Sequence, residues 1–200
     1  MLDHTGPMGT SSMSMFFALL SLACVAASGA VIITWMVARF GRSSWAEGVL
    51  VDLGGAALWL AALVAVVCTL GSLYFSEIAH YTPCDLCWFQ RICMYPLAVT
   101  FTIAAFRRDA AVWRYAVVPA SVGAVIAIYH TQLQAFPDQK SFCPTAIPCT
   151  IRYVWEFGFV SLPFMALAGF VFALLMLRVA NLGTAAPVDD LEPAPVGSER

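Results

Sequence analysis

The stretch Cys84-Asp85-Leu86-Cys87-Trp88-Phe89-Gln90-Arg91 stands where a polar loop gives way to a long apolar run. Two thiols separated by two residues close a small disulfide or share a metal. At the edge of an apolar run they read as a redox pair at a membrane surface. A second pair, Cys143 and Cys149, falls in the other loop that shares that side of the membrane, and the rest of the chain reads as scaffold for the two pairs.

Working outward, hydrophobic residues make up 61% of the 200 and charged residues 11%, with a mean hydropathy of +0.82. A soluble domain of this size carries more charge, so the chain belongs in a bilayer. The net charge of −2 comes without a basic cluster and excludes a nucleic-acid partner. Seven cysteines is an odd count, so at least one has no partner within the chain.

Five apolar segments are long enough to cross, and none alternates as a barrel strand does. They are Ser14 to Ala38, Val51 to Phe75, Trp88 to Phe106, Tyr115 to Gln132 and Val154 to Leu177, the last with Pro163 inside it. The expected fold is therefore an all-α integral membrane protein. The first run, of about 25 residues with no basic residue before it, is longer than the roughly 7–15-residue core of a cleaved signal peptide and is read as a retained helix. Residues 1–13 precede it, and the Pro-rich acidic tail 182–200 is expected to be disordered.

The two cysteine loops are separated by two spans, so they face one compartment. Arg39, Arg42, Arg107, Arg108, Arg114 and Arg178 fall on one side, against Arg91, Lys140 and Arg152 on the other. The positive-inside rule then puts the amino terminus and both cysteine loops outside the cytoplasmic membrane and the carboxyl tail in the cytoplasm. Disulfides persist on that face.

A Cys-x-x-Cys at a helix start places one sulfur near unpaired N–H groups, which favour the thiolate. Arg91, four residues after Cys87, shares its helical face and can support a Cys87 thiolate or hydrogen-bond a ligand carbonyl. The alternative is an arginine that snorkels to lipid headgroups. Cys143 and Cys149 bracket two prolines in a stiff aqueous loop, either an exchangeable disulfide or a structural staple. Four thiolates also invite zinc, but the five residues inside the second pair exceed the usual roughly two to four, and no metal is expected. Cys24, Cys68 and Cys93 lie within spans and read as packing, His130 reads as a helix-end polar group, and Glu156 sits four residues from Arg152 as a weak pair.

The string PCDLCWFQR, then a basic turn, a span ending YHTQLQAFP, a cysteine-bearing loop and PCTIRYVWEFGFVSLPF resembles the DsbB family of membrane thiol oxidoreductases, with a second-pair spacing like that of its BdbC-type members. The resemblance covers about Val51 to Leu177 and implies a four-helix bundle in a bacterial cytoplasmic membrane, here with one additional N-terminal helix. It implies that the bundle reoxidises a DsbA/BdbD-like thioredoxin-fold partner and passes electrons to a membrane quinone, ubiquinone or menaquinone. Carried over by position, Cys84 and Cys87 are the pair that meets the quinone, Arg91 and His130 contribute to the quinone site, and Cys143 and Cys149 exchange with the partner. Vitamin K epoxide reductase relatives place the loop pair before the Cys-x-x-Cys, the reverse of the order here. A reductive carrier would need paired cysteines within spans, and a scaffold would hold two static loop disulfides.

Overall fold

The computed structural model describes residues 8–41, 43–139, 143 and 147–184. Its helices are α1 (Met8–Gly41), α2 (Ser44–Leu73), α3 (Asp85–Arg107), α4 (Trp113–Ala135) and α5 (Leu162–Thr184). All five are long and apolar enough to span a membrane. Helices α2, α3, α4 and α5 form a ring in which each packs on its neighbours, and α1 lies outside it against α2 and α5.

Small residues bring the helices together. Ala57, Ala61 and Ala65 of α2 and Ala116, Ala120, Ala124 and Ala127 of α4 face inward, whereas Val118, Val122 and Val125 of α4 face out. This is the pattern expected when lipid is as apolar as the core, so that close backbone approach and van der Waals contact decide which face is buried. Phe101 and Phe170 fill the centre, fully buried. Gly123 makes room for the second: a Cβ there would stand 2.3 Å from the Phe170 ring. At the end away from the cysteines, α3 stops at Arg108 in a left-handed conformation (φ 52°), and the Asp109 carboxylate accepts from the Ala111 N–H to start the turn into α4.

The helix boundaries differ from the expected spans where polar caps or turns decide them. The largest difference is at the fifth span, expected from Val154. Residues 154–161 are instead non-helical, with an antiparallel bridge between Glu156 and Val160 closed by a turn through left-handed Phe157 (φ 52°) and Gly158 (φ 79°). Pro163 consequently sits in the first turn of α5, where its missing N–H breaks no bond. Without a helix there, Arg152 and Glu156 are not paired. Arg152 donates through Nε to the Gln134 carbonyl at 2.7 Å, closing the end of α4, and Glu156 accepts from Ser14 Oγ at 2.7 Å. Helix α5 runs three residues into the expected tail, and residues 185–200, with the rest of that tail, lie outside the described residues, as do 1–7.

Candidate active site

Helix α2 ends in a π-helical turn, Tyr74–Ile78, and His80 then takes a left-handed conformation (φ 57°) that turns the chain back toward the bundle. Stacked rings hold this loop: Phe75 on Tyr81 at 5.8 Å and Tyr81 on Tyr153 at 4.8 Å between centroids. Pro83 delivers Cys84 as the N-cap of α3, in extended conformation over the helix amino end.

Cys84 Sγ lies 2.9 Å from Cys87 Sγ, and Cys143 and Cys149 are joined as a disulfide. The two pairs meet, because Cys84, Leu86, Leu133 and Cys149 form one buried cluster with Cys87 and Cys143 packed on it. Cys149 is 1% exposed while Cys143 is only partly covered. Of the loop disulfide's two residues, Cys149 is the more deeply buried and sits in one cluster with Cys84.

His130 joins them. Its Nε2 is 3.1 Å from the Cys149 carbonyl oxygen and 3.7 Å from Cys84 Sγ, and its Nδ1 is 3.1 Å from Gln90 Nε2. A carbonyl only accepts, so Nε2 carries the proton and the Gln90 amide donates to Nδ1. The Cys84 thiol is lowered from its ordinary value, first by the hydrogen bond from the Cys87 thiol and then by His130, against a burial that raises it. From sequence, Arg91 could support a Cys87 thiolate or hydrogen-bond a ligand carbonyl; the structure adds His130 beside Cys84 and bonds Arg91 to Ser72. Cys84, Cys87 and His130 also bring three side-chain atoms within 4.8 Å of one another, but both ring nitrogens of His130 already have protein partners.

Cys87 faces the other way, into an almost wholly apolar cavity of about 550 Å³ between α1, α2, α3 and α5. Arg91 lines it too. The Arg91 Nε donates to Ser72 Oγ at 2.9 Å and Nη2 to the Ser72 carbonyl at 3.0 Å, and its guanidinium carbon lies 5.2 Å from the centre of the Trp88 ring. Gln90 lines the cavity and holds His130, whereas His130 itself is not part of the cavity wall. Cys24 and Cys68, read from sequence as packing, line its deeper part.

A family profile described as disulfide bond formation protein DsbB matches residues 55–182, more than half of the chain. The chain belongs to the DsbB family. Among curated relatives, disulfide bond formation protein C of Bacillus subtilis is 42% identical over 123 residues, covering 60% of this chain and 87% of that protein. Probable disulfide formation protein C 1 of Bacillus cereus is 45% identical over 118 residues, covering 58% and 84%. The corresponding protein of Halalkalibacterium halodurans is 43% identical over 126 residues, covering 60% and 90%. No solved structure matches. Both cysteine pairs, Gln90, Arg91 and His130 fall within the matched DsbB region, and α1 falls outside it.

Gln90 was missed from sequence alone. Its signal was available: an amide three residues after Cys87, on the helical face of the motif, is costly to bury without a partner.

Proposed function

We propose that this DsbB-family protein is a membrane protein-disulfide oxidoreductase that takes electrons from an extracytoplasmic thioredoxin-fold dithiol of the DsbA/BdbD kind and delivers them to a membrane quinone. The observation that carries the reading is the single buried cluster of Cys84 and Cys149, with Cys143 and Cys87 packed on it and Cys87 also lining the cavity.

That arrangement supports a relay of thiol–disulfide exchanges between the two pairs. A partner thiolate attacks Cys143 Sγ, breaking the loop disulfide and freeing Cys149 as thiolate. Cys149 attacks Cys84 Sγ of the oxidised helix pair, and Cys87 leaves as thiolate. The partner's second thiolate displaces Cys143, which attacks Cys149 and re-forms the loop disulfide, releasing Cys84. The partner has then lost two electrons and the helix pair holds them as a dithiol. Protonated Nε2 of His130 supports Cys84 when it leaves with negative charge, and its bond to the Cys149 carbonyl keeps the attacking residue beside its target.

The cavity fits the acceptor by chemistry and by size. It is apolar, falls within the range of about 300–1,000 Å³ of small-molecule sites, and presents one fixed cation, Arg91, to a carbonyl oxygen. A bound quinone supplies a two-electron, two-proton sink for the dithiol at Cys84 and Cys87. With the excess of arginines at the end remote from the cysteines, the positive-inside rule supports an extracytoplasmic cysteine end.

The test is quinone reduction by the purified full-length protein with a reduced thioredoxin-fold substrate, beside Cys87→Ser and Cys149→Ser. Activity in the native protein and none in either variant is the expected result. Absence of quinone reduction, with both pairs inert toward the dithiol, would return the chain to a scaffold with static disulfides.

A further inference from the structure

Helix α1 is outside the region matched by the family profile, yet its contacts with the bundle are specific. Ser14, Ala18, Ser21 and Ser28 are buried against the ring, and Cys24, Val31 and Ala38 pack on its core. Positions 14, 21 and 28 with 17, 24, 31 and 38 make a heptad seam of mostly small residues, the pattern of close helix packing in lipid. Phe17 is keyed into α2 at Gly71, where a Cβ would stand 2.8 Å from the ring. Ser14 ties the outer end of α1 to Glu156, in the segment that follows the second cysteine pair.

The same face of α1 closes the cavity. Phe17, Leu20, Ser21 and Cys24 are part of its wall, opposite the α3 face that carries Cys87 and Arg91. The cavity is long rather than round. On α2 its lining runs from Leu63 to Ser72 and continues into the π-helical turn at Phe75 and Ser76, and the α2 part alone, at 1.5 Å per residue, is about 14 Å. Only one end holds the redox thiol and the cation. The remainder, lined by Leu20 and Cys24 of α1 and by Leu63, Val64 and Cys68 of α2, is mainly apolar.

We propose that α1 is the wall of this slot that grips the isoprenoid chain of the acceptor, so that the added helix sets how tightly, and which, long-chain quinones are used. The proposal rests on the quinone reading above and assigns the ring to the Cys87–Arg91 end and the chain to the groove along Leu20 and Cys24. A ring alone would leave most of the length empty, whereas a chain drawn in from lipid fills it through close van der Waals contact.

Two measurements on the full-length protein test it. The first compares KM for a long-chain quinone with KM for a tailless analogue in the native protein, in Cys24→Phe, which fills the groove, and in Gly71→Val, which pushes Phe17 and α1 away. The ratio of long-chain to tailless KM is expected to rise at least about tenfold in both, roughly 1.4 kcal/mol of lost packing contact. Pairing Gly71→Val with Phe17→Ala, which reopens the space, is expected to restore most of the native ratio. The second, independent of whether a variant folds, uses a quinone carrying a photoreactive group on its first isoprene unit with the native protein. Label recovered in residues 16–24 supports the assignment; label confined to α3 and α4 overturns it, as does an unchanged KM ratio. If the native protein reduces tailless and long-chain quinones equally well, only this inference falls. If it reduces neither, the acceptor reading falls as well.

Discussion

His130 Nε2 is 3.1 Å from the carbonyl oxygen of Cys149, a residue 19 positions away in the chain and across a loop from it. Because the same nitrogen is 3.7 Å from Cys84 Sγ, one imidazole bridges the helix pair and the loop that carries the second pair. His130→Ala leaves the Cys149 carbonyl and the Gln90 amide buried without partners. It is expected to cost about 1–3 kcal/mol of stability and to slow transfer between pairs at least about tenfold, the equivalent of roughly 1.4 kcal/mol at the barrier. Rapid acid quench with thiol labelling reads this as a build-up of reduced Cys143–Cys149 while Cys84 and Cys87 remain oxidised.

Gln90 acts through His130. Gln90→Leu removes the donor that holds Nδ1 as acceptor, so the ring is no longer biased to carry its proton on Nε2. Nitrogen NMR of the labelled histidine is expected to show the mixture of tautomers, and transfer between pairs should slow in the same direction as in His130→Ala. A Gln90→Asn variant that keeps the native tautomer signature but is equally slow would show that tautomer control is not its role.

In the reduced protein the lowered pKa of Cys84 has two consequences. Its alkylation by a small haloacetamide is expected to persist well below the ordinary thiol pKa of about 8.5, and His130→Ala should move the midpoint back up. For stability, the unfolded chain holds a proton that the folded chain has released. Folding is therefore strengthened in full above the ordinary thiol pKa, and that strengthening is lost as pH falls through the depressed value. A reduced protein that is more stable at mildly acid pH than at pH 8 would contradict the assignment.

Arg91 meets Ser72 at two atoms and lies over Trp88, a placement that depends on a planar fork. Arg91→Lys keeps the charge but not the two-point anchor. KM for quinone is expected to rise about tenfold, or about 1.4 kcal/mol of binding, measured by steady-state quinone reduction.

Gly123→Ala drives a methyl into Phe170 where α4 meets α5. Overpacking of this kind costs about 1–3 kcal/mol, read as a lowered unfolding midpoint in detergent, and Phe170→Leu in the same chain should recover part of the loss.

Composition and spacing determined the class of this protein without a fold. Five apolar runs in so sparsely charged a chain leave no alternative to spanning helices, because lipid offers backbone groups no other partner. The motif at Cys84 and Cys87 with Arg91 and the loop pair at Cys143 and Cys149 were legible for the same local reason: thiol chemistry depends on spacing along the chain. The start of α5 was misread because residues 154–161 are as apolar as a span, and only Phe157 and Gly158, turning left-handed, end the pattern. What tertiary structure alone decided is which groups meet. By position His130 read as a helix-end polar group and only the family resemblance gave it a quinone-site role; its contacts with the loop pair came from the fold, and Gln90 had no visible task until His130 stood beside it. The heptad of serines on α1 was present in the sequence, but a seam has meaning only against a surface. Contacts such as Cys84 with Cys149 join positions far apart in the chain, and in lipid, where hydrophobicity does not distinguish one helix face from another, close packing of small residues decides them.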